Sequence, residues 1–410
     1  MILYIPSTQY VVMSTEYITE PGTEHNLRLH RDATPFSPGE LSDPHPVLAS
    51  ARTEAPITWV PALEAWVITG RRAAVEVMRD PQRFTVDDPR FSTAQVIGPS
   101  MLSTDGERHD RHRSPFTDWF SSRDQLDEHT AWMHACAREL VTGFAPTGVA
   151  ELRTELAAPL AARTLAHLLG LDPPGAEQLL LWYRDIVDAV QQISAGHDPG
   201  DTGTQAFGDL RRAVLAATDD GRAAALLDAR SSLSDDDLAA NAAVILFGGI
   251  ETSEGATANA FSHLLTEPEH WAALKADRSL IPAAVEESLR LEPAAANVDR
   301  YATVDVDLFD ASIRAGDYVV VSLAGANRDP DVFDEPDRFR LDRPNVRQHT
   351  SFALGPHACL GIHIARAQTA AAISALLELD EVTLDPRHSQ PPRGLVFRKP
   401  PAVTATWTRP

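Results

Sequence analysis

The stretch Phe352-Ala-Leu-Gly355-Pro-His357-Ala-Cys359-Leu-Gly361-Ile-His363-Ile-Ala365-Arg366 decides how this chain is read. A cysteine stands immediately before an apolar, Ala-rich run that reads as a helix, with a glycine on either side of it. A cysteine at a helix start faces free backbone N–H groups and the positive end of the dipole, and both favour thiolate over thiol. Gly355 and Gly361 allow close backbone approach around the sulfur, and Phe352 can shield it from water. This is how a soft, electron-donating metal ligand is built. Two plainer readings stand beside it: a buried structural cysteine, and a zinc site from His357, Cys359 and His363. The zinc reading lacks a second Cys/His pair at zinc spacing.

Outward from this segment, the composition narrows the field. The 410 residues carry 36 basic and 58 acidic side chains, a formal charge of −22. A nucleic-acid binder needs clustered positive charge, so that class is excluded. Only Lys275 and Lys399 are lysines, and the other 34 basic residues are arginines. With 43% hydrophobic and 7% aromatic residues, the chain can bury a substantial core. Two cysteines, Cys136 and Cys359, cannot form a disulfide framework, which points to a reducing, cytoplasmic setting. Cys136 lacks any glycine or turn context and reads as core. The apolar start Met1–Pro6 has no basic flank, and Pro6 and Gln9 interrupt it well short of the roughly 20 residues of a membrane span. Met13 is an alternative start.

No repeat or long linker divides the chain, so one large domain with a small β-rich lobe is expected. Ile57–Val60 and Ala65–Ile68 read as a hairpin, followed by a helix over Arg71–Arg79. From Glu107 to about Ala217 the pattern is helical almost throughout, broken at Gly143–Pro146, Asp172–Gly175 and Gly196–Gly200. The longest helix starts at Ser234-Asp-Asp-Asp237 and runs to about Leu265, roughly 45 Å. Strands are expected over Tyr301–Leu323, then a coil over Asn327–Gly355, a helix from Cys359 to about Leu379, and short terminal strands.

The pattern Phe-x-x-Gly-x-x-x-Cys-x-Gly resembles the haem-binding loop of the cytochrome P450 family, the haem-thiolate monooxygenases. The resemblance implies a mainly α fold with a small β-rich lobe, a triangular prism around b-type haem. It also implies one haem domain over residues 21–410 behind a disordered tail of residues 1–20, and Cys359 as the axial iron ligand.

Further segments match the family in order. Glu287 and Arg290 are three apart and share a helix face. With Glu335-Pro-Asp-Arg338-Phe339 downstream, they are similar to the family's Glu-x-x-Arg helix and meander, which implies a buried Glu287–Arg290–Arg338 network. The long helix carries Phe247-Gly248-Gly249-Ile250-Glu251-Thr252. Two glycines inside a helix cost about 1 kcal/mol each relative to alanine, so something must require the missing side chains; a cofactor face and bound dioxygen would supply the reason, and a purely packing role is the alternative. Thr252 beside Glu251 fits proton delivery, the alcohol holding a water or peroxide and the acid relaying protons. His109 and Arg113 lie four apart on one helical face and, with Arg300 and His357, are similar to the family's haem-propionate ligands. Phe352, Gly361 and Gly248 complete the cofactor contacts.

By position the substrate pocket draws on Val244, Phe247, Gly248, Ala296, Asn297, Val298 and Val396. These are mostly small or apolar, so a small to medium hydrophobic substrate is expected, plausibly in bacterial secondary metabolism. No Gly-x-Gly-x-x-Gly segment is present. The resemblance implies insertion of one oxygen atom from dioxygen into the substrate, or its oxidative coupling, with electrons from NAD(P)H delivered by separate partners, a ferredoxin and its reductase. Arg108, Arg111, Arg340, Arg343 and Arg347 would face an acidic ferredoxin. A non-oxygenating haem-thiolate sensor is the alternative, although it needs no acid–alcohol pair.

Overall fold

The computed structural model describes residues 43–409 apart from 173, 195, 196 and 222. The expected tail over residues 1–20 and the alternative start at Met13 lie outside the described residues.

The order begins with α1 (His45–Glu54), β1 (Ile57–Val60), β2 (Ala65–Ile68), α2 (Arg71–Met78), β3 (Phe84–Thr85) and α3 (Ser92–Ile97). The helical stretch holds α4 (Gly106–Ser121), α5 (Arg123–Phe144), α6 (Ala158–Leu168), α7 (Ala176–Ser194), α8 (Thr202–Asp219) and α9 (Ala224–Arg230). It is interrupted by β4 (Val149–Glu151), which the sequence reading missed. Three residues show no periodicity, and β4 exists because it pairs with β10, for example Glu151 with Thr404.

Next come α10 (Asp235–Thr266), α11 (Pro268–Ala276) and α12 (Ile281–Leu291), then β5 (Asn297–Ala302), β6 (Val306–Leu308), β7 (Ala311–Ile313) and β8 (Tyr318–Ser322). The chain closes with α13 (Leu323–Ala326), a long coil, α14 (Ile362–Leu376), β9 (Asp380–Leu384) and β10 (Thr404–Thr408).

Helix α10 is the central element. Ser234 caps it, its Oγ accepting from the Asp237 N–H at 3.1 Å, and Asp235, Asp236 and Asp237 place negative charge at the positive dipole end. Its 32 residues are buried over nearly the whole length from Leu238 to Leu265. A helix apolar on all sides belongs in the interior, and α6, α8, α12 and α14 pack around it. Helix α5 turns Met133, Cys136, Ala137, Val141 and Phe144 toward this core, against α14. Cys136 is therefore packing, as expected.

The strands form a lobe to one side. The main sheet has the order β1-β2-β8-β5-β3. The hairpin pairs Trp59 with Trp66, β2 runs parallel to β8, and β5 is antiparallel to β8 with Arg300 opposite Val319. A second sheet, β4-β10-β9, ties the chain end to the helical body. Among the described residues no helix is long and apolar enough to cross a membrane.

Candidate active site around Cys359

The cysteine loop is pinned from behind. Gly355 has φ +76°, and a Cβ there would stand 2.3 Å from the Met78 carbonyl oxygen, so only glycine fits. The Cys359 N–H donates to the Phe352 carbonyl at 2.8 Å. Phe352 carries the Arg366 guanidinium 4.8 Å above its ring, which fixes the face it presents to the loop. Gly361 caps α14, and a Cβ on it would meet nothing within 4 Å.

That open side is a cavity with about 840 Å³ of empty space. It is lined by His357, Ala358, Cys359 and Gly361 of the cysteine loop and by Val244, Gly248, Gly249 and Thr252 of α10. Cys359 and Thr252 thus share one cavity. The two glycines of α10 turn out to have different reasons. A Cβ on Gly248 would project into open space, whereas one on Gly249 would stand 2.9 Å from Leu165 Cδ1. Gly248 keeps the cavity clear and Gly249 lets α6 approach.

Cys359 is exposed to this cavity, and the protein packed around it raises the thiol pKa while the Gly361 N–H, Arg113 and Arg366 lower it. Helix α14 begins at Ile362, so the sulfur meets one N–H rather than a full helix terminus. A metal bound here would deprotonate the thiol outright. Among the described residues no three His, Cys, Asp or Glu side chains come together to hold a metal, so the zinc reading has no geometric support; His363 is exposed.

Arg113 from α4 and His357 line the cavity, with His109 of α4 and the buried Arg300 of β5 next to His357. The His109 and His357 rings lie 4.5 Å apart. Arg113 donates to the Ala358 carbonyl at 2.6 Å, and Arg300 donates Nη1 to the Asp299 carbonyl at 2.7 Å. Yet Arg300 Nη2 and His109 Nε2 are buried without a partner. Burial lowers the pKa of both groups. An unpaired guanidinium nitrogen in the interior is costly, and two unsatisfied donors at one rim fit a carboxylate-bearing ligand filling the cavity.

Asp105, which the sequence reading passed over, completes this rim. It contacts His357 Nε2 at 2.8 Å and accepts from Thr85 Oγ1 at 2.6 Å and the Val86 N–H at 2.8 Å. Those bonds hold its carboxyl far below the usual range despite burial. Its place just ahead of the His-x-x-x-Arg helix was the available signal.

Glu251 and Thr252 are one step apart on α10 and therefore about 100° apart around it. The Thr252 hydroxyl donates back to the Gly248 carbonyl. Glu251 instead opens into a second cleft with about 2290 Å³ of empty space, bounded by α7 and the segment Arg393–Pro401. Its Oε2 accepts from Tyr183 Oη at 2.8 Å, and Lys399 Nζ lies 2.9 Å from Oε1.

The substrate-pocket residues divide between cavities. Val244 and Gly248 line the Cys359 cavity, Phe247 and Val396 the second cleft, and Ala296 and Asn297 a small crevice beside Leu48. Val298 joins none of these and packs against the sheet cluster that includes Ile68 and Val319, because alternation along β5 turns it to the other face.

The buried network beneath the site needs one correction. Arg290 donates to both Glu287 oxygens at 2.8 Å, and the third member is Arg343, at 2.9 and 3.0 Å from Glu287. Arg338 contributes only its carbonyl, to Arg290 and Arg343. Its guanidinium, 72% exposed, pairs with Glu335. In a coil without periodicity the turn at Glu335, with φ +43°, decides which arginine points inward. Arg343 is accordingly unavailable to a redox partner. Arg108 and Arg340 pair with Asp87 and Asp342, Arg111 lies 3.4 Å from Asp237, and Arg347, 80% exposed, is 4.0 Å from Glu286.

The comparisons agree with this geometry. Residues 211–404 match the family model described as cytochrome P450. The chain is 32% identical over 362 residues to the cytochrome P450 monooxygenase PikC of Streptomyces venezuelae, covering 82% of this chain and 84% of that protein. It is 30% identical over 381 residues to 20-oxo-5-O-mycaminosyltylactone 23-monooxygenase of Streptomyces fradiae, covering 84% and 83%. The crystal structure of CalO2 superposes with a TM-score of 0.83 at 27% identity, over 92% of this chain and 98% of that one. The cysteine loop, the donor-lined cavity and these relatives together make the chain a member of the cytochrome P450 family, a haem-thiolate monooxygenase that carries haem b.

Proposed function

We propose that the protein inserts one atom of dioxygen into a predominantly hydrophobic organic substrate in bacterial secondary metabolism, with electrons from NAD(P)H through a ferredoxin and its reductase. The observation that carries this reading is the cavity that Cys359 and Thr252 both line, with the buried Arg300 and His109 nitrogens that lack a partner among the described residues close by. Haem bound there supplies the binding and reductive activation of dioxygen. Cys359 would ligate the iron, and His109, Arg113, Arg300 and His357 would hold the propionates. Gly248 keeps the cavity clear. Thr252 Oγ1 holds a proton at the oxygen side of the cavity, and Glu251 carries protons from the second cleft.

Both named relatives are monooxygenases from Streptomyces, which supports the metabolic setting. The apolar Cys359 cavity and the polar cleft beyond Phe247 fit a substrate whose reacting end is hydrophobic and whose remainder carries polar groups. The acid–alcohol pair argues against a sensor, which has no use for proton delivery.

The test is spectroscopic first. The ferrous carbon-monoxide complex should show the strongly red-shifted Soret band of thiolate ligation, lost in Cys359→His. Turnover with surrogate ferredoxin and reductase under isotopically labelled dioxygen should then place one labelled atom in product. A protein that refuses haem, or product oxygen drawn from water, overturns the reading.

A further inference from the structure

Of 36 basic side chains only two are lysines. Lys275 ties down the Leu377 and Leu379 carbonyls at 2.9 Å each. The other, Lys399, sits on the acid of the acid–alcohol pair. Its Nζ is 2.9 Å from Glu251 Oε1 and 3.1 Å from Glu254 Oε1, and Arg153 Nη1 contacts that same Glu254 oxygen at 2.8 Å. A compact ammonium with three rotatable donors can bridge two carboxylates in this way, where a planar guanidinium favours one fork. With Tyr183 on Oε2, both Glu251 oxygens are engaged on the cleft side, and neither reaches Thr252, whose hydroxyl is turned to Gly248.

The two restraints come from unequal supports. The neighbour of Lys399, Arg398, is buried, with Nε 2.5 Å from Glu292 Oε1 and its backbone N–H on the Ala294 carbonyl at 2.9 Å. Lys399 is thus presented from a fixed anchor. Tyr183 comes from α7, which forms a wall of the cleft.

We propose that Lys399 is a positioning residue for proton delivery, holding the Glu251 carboxylate at the solvent-facing cleft in the one orientation from which it can turn toward Thr252. The proposal rests on the monooxygenase reading. A free glutamate side chain samples several rotamers and loses that freedom on ordering. The clamp removes that search.

The chemistry supplies a discriminating test. Dioxygen-driven turnover consumes two delivered protons (RH + O2 + 2 e− + 2 H+ → ROH + H2O). Peroxide brings its own protons and electrons (RH + H2O2 → ROH + H2O) and consumes none from solvent. In the holoenzyme, Lys399→Met should lower product formed per NADPH by up to about a hundredfold, the scale that misplacing a reacting group costs, and enlarge the solvent deuterium isotope effect. Lys399→Arg should restore most of the yield, and Tyr183→Phe should act in the same direction as Lys399→Met but more weakly. The carbon-monoxide band should match the parent in all three, and peroxide-driven turnover should fall less than the reductase-driven yield. Unchanged coupling and isotope effect in Lys399→Met, or peroxide-driven turnover falling in parallel with the reductase-driven rate, overturns the proposal alone. A parent without the thiolate band overturns the underlying reading and the proposal with it.

Discussion

Arg300 is held in the interior with one guanidinium nitrogen unpaired. That is a cost in the haem-free chain that a propionate would convert into a charged hydrogen bond of about 1.5–3 kcal/mol. Arg300→Met should therefore speed haem loss about ten- to hundredfold without lowering the stability of the haem-free protein. Haem transfer to a scavenging apoprotein, paired with urea unfolding of the haem-free variant, measures both. The arginines beneath the site make a second pair of opposites. Arg343→Ala leaves the buried Glu287 with one partner fewer and should cost about 3 kcal/mol or more. Arg338→Ala, which keeps the carbonyl that Arg290 and Arg343 use, should leave the urea midpoint unchanged. Equal midpoints in the two variants would contradict the assignment of Arg343 to the network.

At the scale of elements, α10 separates functions by its own geometry. Residues 248 and 252 look into the Cys359 cavity while 247, 251 and 254 look into the cleft, so one helix carries an oxygen-side face and a solvent-side face. The adjacent glycines can be told apart by experiment. Gly248→Ala adds a methyl to open space and should raise the stability of the haem-free protein by up to about 1 kcal/mol through helix propensity, while reducing monooxygenase turnover. Gly249→Val drives a side chain into Leu165 and should cost about 1–3 kcal/mol by overpacking. Urea midpoints that move the same way in both would remove the distinction. The Gly-Gly step was visible in the sequence, but its division of labour needed α6, whose Leu165 is more than eighty positions earlier in the chain.

For the whole molecule, buried titratable groups between the helical body and the coil set an acid limit. His263, against Ser288 Oγ at 3.0 Å, is pushed down to about 4 by burial. Its folded pKa lies below the unfolded 6.5, so stability is complete above pH 6.5 and falls as pH drops toward 4. Glu286 is held at about 2, its burial outweighed by bonds from His349 and Arg366, so its contribution is present above the unfolded value of 4.5 and is lost between there and pH 2. Each is worth up to about 3 kcal/mol. Thermal melts from pH 8 to 4 should fall below pH 6.5, and in His263→Gln the difference from the parent should narrow over that window. A constant difference would show that His263 does not titrate on unfolding.

How much was legible follows from the range of the interaction involved. The cysteine loop, the capped long helix, the hairpin and the His109/Arg113 pair are local patterns, written in spacing, glycine placement and capping, and the chain order alone reveals them. The strand β4, the inward turn of Arg343 in place of Arg338, the closing of the propionate rim by Asp105 and the hold of Lys399 on Glu251 join residues tens to hundreds of positions apart, or depend on how an aperiodic coil turns. Cys359 shows both at once: its candidacy as the iron ligand rests on the ten residues around it, while the cavity it opens into, lined by Thr252 more than a hundred positions earlier, exists only in the assembled fold, because no local pattern brings residues so distant in the chain together.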